Sequence, residues 1–400
     1  MKILFIHEVS YHKKVIFEIQ EFPELLALRG HDVSFLEFDE GRKFWKKPHR
    51  PGFQKVKGRV HFSAEIKLNR PFQFGIPGID RVIATVSVIP LLRKLLAENN
   101  FDVVVLYAVP TYGLQTLWLA KKHKVPVAFR ALDVSHMIRG SFLSPIIKWV
   151  EKKVYRQTDL LSANNPAMAK YCDGLSKRKG HTAVHFPPLD LSHFLKSSRD
   201  SALRSALGIA EGDLVIVYMG SFFYFSGLAD AIDEFAEASK ASPNLKFLLV
   251  GGGEQDSELR KKVFDLGLSG KVIFAGFVSY EDLPTYLKVA DVAVNTLEPT
   301  LVANVAFPNK VLQYMAAGLT VVSTKLDGLY SVFEDQAGII WAKDARAAIR
   351  EASKLVEQKS VQPGGARENL SESALSRFDP VIAIDRFEAS LKTLAGGLRR

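Results

Sequence analysis

One cysteine, Cys172, is all that the 400 residues carry. That excludes an internal disulfide and any zinc site built on cysteines, and it fits a reducing compartment. Long apolar runs are missing too, since no stretch reaches the roughly 20 residues that span a bilayer as a helix. Met1-Lys2 leads straight into ILFIHE, which is too short for the apolar core of a secretory leader and has no cleavage site after it, so no leader is expected. Asp-x-Asp is absent, and no His or Cys cluster has ligand spacing, so metal catalysis is not expected. No short-period repeat is present, which excludes a solenoid.

Acid is also in deficit. Against 43 Asp and Glu stand 53 Lys and Arg, a net charge of +10 that favours an anionic partner: nucleic acid, an acidic membrane face or a phosphorylated substrate. The excess is uneven. Residues 41–60, GRKFWKKPHRPGFQKVKGRV, hold eight Lys or Arg and no acid, with Phe44, Trp45 and Phe53 interleaved. Basic residues with aromatics suit a lipid headgroup layer, with Lys43, Trp45, Lys46 and Lys47 as contacts. A solvated basic loop is the other reading. Nucleic acid ranks below both, because no reading helix or aromatic sheet motif accompanies the charge.

What is present is alternation. KILFIHE, HDVSFLEF, FDVVVLYA, VPVAFRAL, DLLSAN and HTAVHF read as apolar strands with helices between them, and Pro23 implies a kink or break in the first helix. The pattern restarts with DLVIVYMGS, LKFLLVGGG, KVIFAGFV, VAVNTLE, LTVVST and GIIWA. Near-continuous apolar strands belong to parallel sheets covered on both faces. The expected fold is α/β, with two doubly wound domains facing a central cleft. The first covers 1–188, the second 189–378, and a terminal helix covers 379–400. The linker is expected in HFPPLDLSHF (185–194).

In such sheets ligands bind beyond the carboxyl ends of the strands. Three loops of the second half fall there. YMGSFFYFSG (218–227) offers Gly220 and the amides after it to a phosphate, and VGGGE (250–254) makes a turn with room for a ligand. FPNKVLQYMAAGLTVVST (307–324) places Pro308 at a helix start, Gly318 at its stop and a β-branched strand after it. Lys310 adds a full charge where unpaired amides already favour an anion. Each glycine loop alone is more often a tight turn; together they point to a nucleotide-type ligand. In the first half, FRALDVSHMIRG (129–140) follows a strand. Its Arg130, Asp133 and His136 can neutralise a phosphate, accept from a hydroxyl, or do either, although an Arg–Asp pair that only stitches the loop is the competing reading. His12 and Lys13 follow the first strand and are candidates for an acceptor contact or a solvated helix start.

The second half resembles the donor domain of glycosyltransferase family 4, of GT-B architecture. The residues that carry the resemblance are VYMGSFFYFSGLADAIDEFAEA, LLVGGGEQDSELRKKV, VIFAGFVSYEDLPTYLKVADVAV and FPNKVLQYMAAGLTVVST, in that order. LRGHDVSFLE, VEKKVYRQTDLLSANNPAMAKYC, HFPPLDLSHF and the terminal RFDPVIAIDRFEASL are similar to the family's other segments, so the likeness covers almost the whole chain. The departures fall on the donor site. The family's pair of Glu eight residues apart falls on Val305 and Gln313, its diphosphate Arg on Ser221 and its diphosphate Lys on Ser226, and its cleft His-Asp on Leu132-Asp133. The frequent N-terminal Gly-Gly is replaced by HEVSYHKK.

The resemblance implies a retaining, metal-independent transferase that moves a sugar from a nucleotide-sugar, its co-substrate, to a hydroxyl acceptor, with no other cofactor. Gly220 and Ser221 would line the phosphate pocket. Phe277 and Val278 would meet the base, Gln313 the ribose, and Asn309, Lys310 and Val311 the diphosphate and sugar. The acceptor is expected to be lipid-linked or an envelope polysaccharide, on the cytoplasmic face of a membrane. Two other readings stay open: a nucleotide-sugar epimerase, and a binding scaffold on this fold that has lost its donor site.

Overall fold

The computed structural model of the chain describes residues 1–13, 18–39, 52–73, 76, 79–137, 142–178, 180–190, 192–195, 200–334, 338–358 and 376–397. It divides into two compact units, Met1–Leu189 with Arg377–Arg400, and Asp190–Ser376.

The first unit is built on β1 (Lys2–Ile6), β2 (Asp32–Leu36), β3 (Gly52–Lys57), β4 (Glu65–Arg70), β5 (Val103–Leu106), β6 (Val127–Ala131), β7 (Leu160–Ala163) and β8 (Ala183–Val184), ordered β3-β4-β2-β1-β5-β6-β7-β8. All neighbours are parallel except β3 and β4, an antiparallel hairpin on the edge. This corrects the sequence reading, which gave the segment no strand. The signal was present, because Ile66 and Leu68 alternate into the core from EIKLNR, but the surrounding charge obscured it. The hairpin is tied inward by Glu24, fully buried on helix Glu18–Leu28, whose carboxylate accepts the amides of Arg59, Val60 and His61 at 2.7–2.9 Å. That helix runs on without a break through Pro23, where a kink or break was expected. The basic residues Lys43, Trp45, Lys46 and Lys47 lie outside the described residues.

Helix Pro380–Gly397 belongs to this unit. Its Phe387 ring lies 4.5 Å from that of Phe22, and Ile384, Phe387 and Leu391 complete the core beside β1 and β5.

The second unit holds β9 (Leu214–Ser221), β10 (Leu245–Gly252), β11 (Val272–Gly276), β12 (Val292–Asn295), β13 (Thr320–Thr324) and β14 (Ile339–Ala342), all parallel. Their order, β11-β10-β9-β12-β13-β14, is that of the Rossmann sheet. Val215–Tyr218 and Val292–Val294 are fully buried, as central strands covered on both faces require. The strand order reverses between β9 and β12, so a crevice for ligand opens beyond their carboxyl ends.

Candidate functional site

At that reversal β9 ends in Met219-Gly220-Ser221, and β10 ends beside it with Gly251 opposite Gly220. The two strands touch through backbone. Gly251 sits at φ +127°, and a Cβ there would lie 2.1 Å from the Gly220 carbonyl oxygen, so no other residue fits. Phe277, after β11, packs its ring edge against Gly252 and is 76% exposed, with Val278 half-buried beside it.

Helix Lys310–Ala316 is fastened onto the end of β9 by Tyr314, whose hydroxyl accepts the Met219 amide at 2.6 Å and lies 3.3 Å from the Met219 carbonyl. This brings Lys310 over the neighbouring residue: its Nζ stands 4.0 Å from the centre of the Tyr218 ring. It also faces Gly220, where a Cβ would be 3.2 Å from Nζ. Tyr218 itself donates to the Ser221 carbonyl at 3.2 Å, which holds the loop in place. Lys310 has no carboxylate in salt-bridge range among the described residues. Its surface area makes it half-buried, but protein packed around the ammonium removes water from the charge and pushes the pKa down to about 7. Among the described residues, the ring face under Nζ compensates by about 1–2 kcal/mol. A desolvated cation with no counter-ion among the described residues, at a strand-end crevice, is a candidate site for an anionic ligand.

The helix start differs from the expected one. The helix begins at Lys310, with Pro308 outside it, and the Val311 amide is already donated to the Pro308 carbonyl at 3.1 Å. The amides of Asn309 and Lys310 donate to no described group. Gln313 is buried, with no side-chain hydrogen bond among the described residues. Ser221 is half-buried at the strand end. Ser226 is fully buried, and its carbonyl accepts from Thr296 Oγ1 at 2.7 Å, so it ties the β9 loop to the end of β12. Helix Leu301–Val305, capped by Thr300, ends at Val305. Tyr218 and Tyr314 position the lysine, and sequence reasoning passed over both. Each lies inside a motif it had quoted, but an aromatic at helix or strand spacing reads as core.

In the first unit the candidates separate. Arg130 is 1% exposed and lies in the core, a correction to its expected place on a ligand surface. Its Nε and Nη2 donate to the two oxygens of Glu18 at 2.6 and 2.8 Å, and Nη1 donates to Ser162 Oγ and the Ala163 carbonyl. Its partner is thus Glu18, from a helix far away in sequence. His136 is buried with Nδ1 2.7 Å from Glu151, whose other oxygen accepts from Tyr155 at 2.9 Å. Asp133 is exposed, as are His12 and Lys13, and Lys13 pairs with Asp39 at 2.5 Å. At this sheet's own reversal, between β1 and β5, Glu8 accepts the amides of Thr111 and Tyr112 at 2.6 and 3.1 Å.

Two Rossmann-like units in one chain are the parts of a GT-B protein. Residues 213–358 match the family model for glycosyl transferases group 1, and residues 19–185 match that for the glycosyl transferase 4-like domain. The chain belongs to the group 1 glycosyltransferases. Curated relatives include an alpha-monoglucosyldiacylglycerol synthase of Streptococcus pneumoniae, 22% identical over 62% of this chain and 60% of its own. Another is the lipopolysaccharide core biosynthesis glycosyltransferase LpsE of Rhizobium meliloti, 28% identical over 54% and 60%. The matched region spans about three fifths of the length of these two relatives. Among solved structures, Anabaena Alr3699/HepE in complex with UDP and glucose superposes with a TM-score of 0.74 at 18% identity, covering 98% of this chain and 99% of that one. Sucrose-phosphate synthase from Thermosynechococcus elongatus gives 0.75 at 17%, covering 99% and 100%.

Proposed function

We propose that the protein transfers a sugar from a nucleoside diphosphate sugar to a hydroxyl acceptor with retention at the anomeric carbon. The observation that carries this reading is Lys310: a cation with no carboxylate partner among the described residues, held over Tyr218 and facing Gly220 at the carboxyl edge of the second unit's sheet. The anion it fits is the diphosphate. As the bond from the anomeric carbon to the phosphate oxygen breaks, negative charge collects on that oxygen, and a fixed ammonium with the free amides of Asn309 and Lys310 stabilises it. The departing oxygen takes the acceptor's proton while the acceptor oxygen bonds the same face of the sugar, so no separate base is required. Charge stabilisation by Lys310 in place of a metal makes the transfer metal-independent in this scheme. Gly220 and Ser221 line the phosphate pocket, Phe277 and Val278 meet the base, and Gln313 meets the ribose. On the acceptor side, His12, Lys13 and Asp133 are surface candidates.

HepE complexes with UDP and with UDP-glucose favour a uridine donor. The glycolipid and lipopolysaccharide names of relatives favour a lipid-linked or envelope-polysaccharide acceptor, reached from the cytoplasmic face of a membrane by a peripheral enzyme. No helix among the described residues is long and apolar enough to cross one.

The competing reading, a scaffold that has lost its donor site, is favoured by Val305, Ser221 and Ser226 at positions where the family carries charge. Thermal shift with UDP, GDP, ADP, TDP and CMP separates the two. One responder is expected, and a ligand at a hundred times its Kd adds about 2.7 kcal/mol. Lys310→Ala should then weaken the nucleoside diphosphate by about 1.5–3 kcal/mol, roughly ten- to a hundred-fold, and leave the free nucleoside unchanged. A protein that no nucleotide stabilises is the scaffold.

A further inference from the structure

Several large apolar side chains of the first unit are exposed on or beside three neighbouring helices. Phe142, just before helix Ser144–Gln157, is 91% exposed, and Ile146 and Trp149 on that helix are 59% and 54% exposed. Ile146 and Trp149, three residues apart, lie on one side of this helix, away from the buried Glu151 and Tyr155. Gly113 of helix Gly113–Lys122 lies against Val154, where a Cβ would be 2.9 Å from Cγ2, and this second helix exposes Trp118. Its Gln115 donates to the Thr85 carbonyl of helix Ile79–Asn99 at 3.0 Å, and that third helix exposes Val82 and Val86.

The two helices that carry Trp149 and Trp118 expose charge of one sign. Helix Ser144–Gln157 carries Lys148, Lys152, Lys153 and Arg156, and its one acid, Glu151, is buried against His136 and Tyr155. The Lys153 ammonium stands 5.6 Å from the Trp149 ring centre. Helix Gly113–Lys122 has no acid and ends in Lys121 and Lys122.

We infer that this face, centred on Phe142, Ile146 and Trp149, docks on the headgroup layer of an anionic membrane. Its occupant must offer negative charge to the lysines and an apolar layer to the exposed apolar side chains at the same depth, which is the composition of a bilayer interface. Tryptophan beside lysine suits that boundary, because its ring is apolar and its N–H remains near water. A second copy would set basic face against basic face, which disfavours self-association. The inference rests on the peripheral-membrane reading above, but it assigns the contact to a folded helix instead of the 41–60 segment.

The test is co-sedimentation of the full chain with phosphatidylglycerol-containing vesicles against pure phosphatidylcholine, alongside quenching of a Trp149-only variant (W45F/W118F/W341F) by bromolipid. Binding to the anionic vesicles is expected, with Trp149 quenched. Ile146→Ser/Trp149→Ser should reduce partitioning by about tenfold while the melting temperature holds, since both side chains are exposed. Lys148→Glu/Lys152→Glu should weaken it in the same direction and reduce its salt dependence. Wild-type binding with Trp149 unquenched, or loss confined to Lys46→Glu/Lys47→Glu, overturns this surface and leaves the membrane reading standing. No binding by the wild type overturns both, and a concentration-dependent dimer that buries Trp149 overturns the lipid assignment.

Discussion

Lys310 and Arg130 are both buried cations, and their partners decide what each does. Arg130 has a bidentate carboxylate inside its own unit, so its charge is spent on structure. Arg130→Met should leave Glu18 uncompensated and cost about 3–5 kcal/mol, read as a lower denaturation midpoint. A variant of unchanged stability would remove the structural assignment. Lys310 has no such partner, and burial holds its pKa at about 7. At pH 8 most of it is therefore neutral before ligand arrives, and a bound diphosphate favours the charged form. Binding at that pH should take up a proton, seen as buffer-dependent heat in titration calorimetry, and affinity should rise as pH falls toward 6. Lys310→Met should abolish the buffer dependence attributable to the lysine; an unchanged proton count would place the uptake elsewhere.

At the scale of elements, the crevice exists because β9 and β10 end in backbone contact. Gly251→Ala would force a Cβ to 2.1 Å from the Gly220 oxygen at a φ of +127°. Backbone strain alone costs about 1–3 kcal/mol, and relief requires the strand ends to part. The expected outcome is a lowered melting temperature together with weakened nucleotide binding. Full binding at lowered stability would mean that the strand-end geometry is not part of the site. The same element explains a misread helix start. A proline before a helix suggests its first position, yet the Pro308 carbonyl accepts the Val311 amide in a turn, and the helix begins at Lys310. That two-residue shift leaves two amides, not three, for an anion.

For the whole molecule, the terminal helix Pro380–Gly397 closes the core of the first unit from the far end of the chain. Glu388 anchors it through Arg29 at 2.8 Å and His31 at 2.8 Å, and also pairs with Lys392 of the same helix at 2.5 Å. Burial alone would raise its pKa, but hydrogen bonds from Lys392, Arg29 and His31 outweigh burial and hold it near 2. A depressed carboxylate pKa gives stability that is present above the ordinary value of 4.5 and is lost as pH falls toward 2. Hydrogen exchange in this helix should accelerate across that window, and Glu388→Gln should flatten the acid dependence. The same slope in both proteins would assign the linkage to another group.

Two doubly wound sheets, the succession of the second unit's strands along the chain and the loops at their carboxyl ends were legible in the sequence, because alternation of apolar runs and the positions of glycine and proline are local properties of the chain. So was Lys310 as a charge at a helix mouth. The β3–β4 hairpin was not, since its period-2 signal is short and lies next to a dense run of charge. Whether a charge is free or matched was not legible either. Glu18 and Arg130 are 112 residues apart, and so large a separation leaves no mark on spacing. Sequence alone thus determined where ionisable groups stand along the elements. Only the tertiary structure decided that Arg130 meets a carboxylate in the core while Lys310 meets a tyrosine ring, because the energy of a buried charge depends on what lies within a few ångströms of it in space.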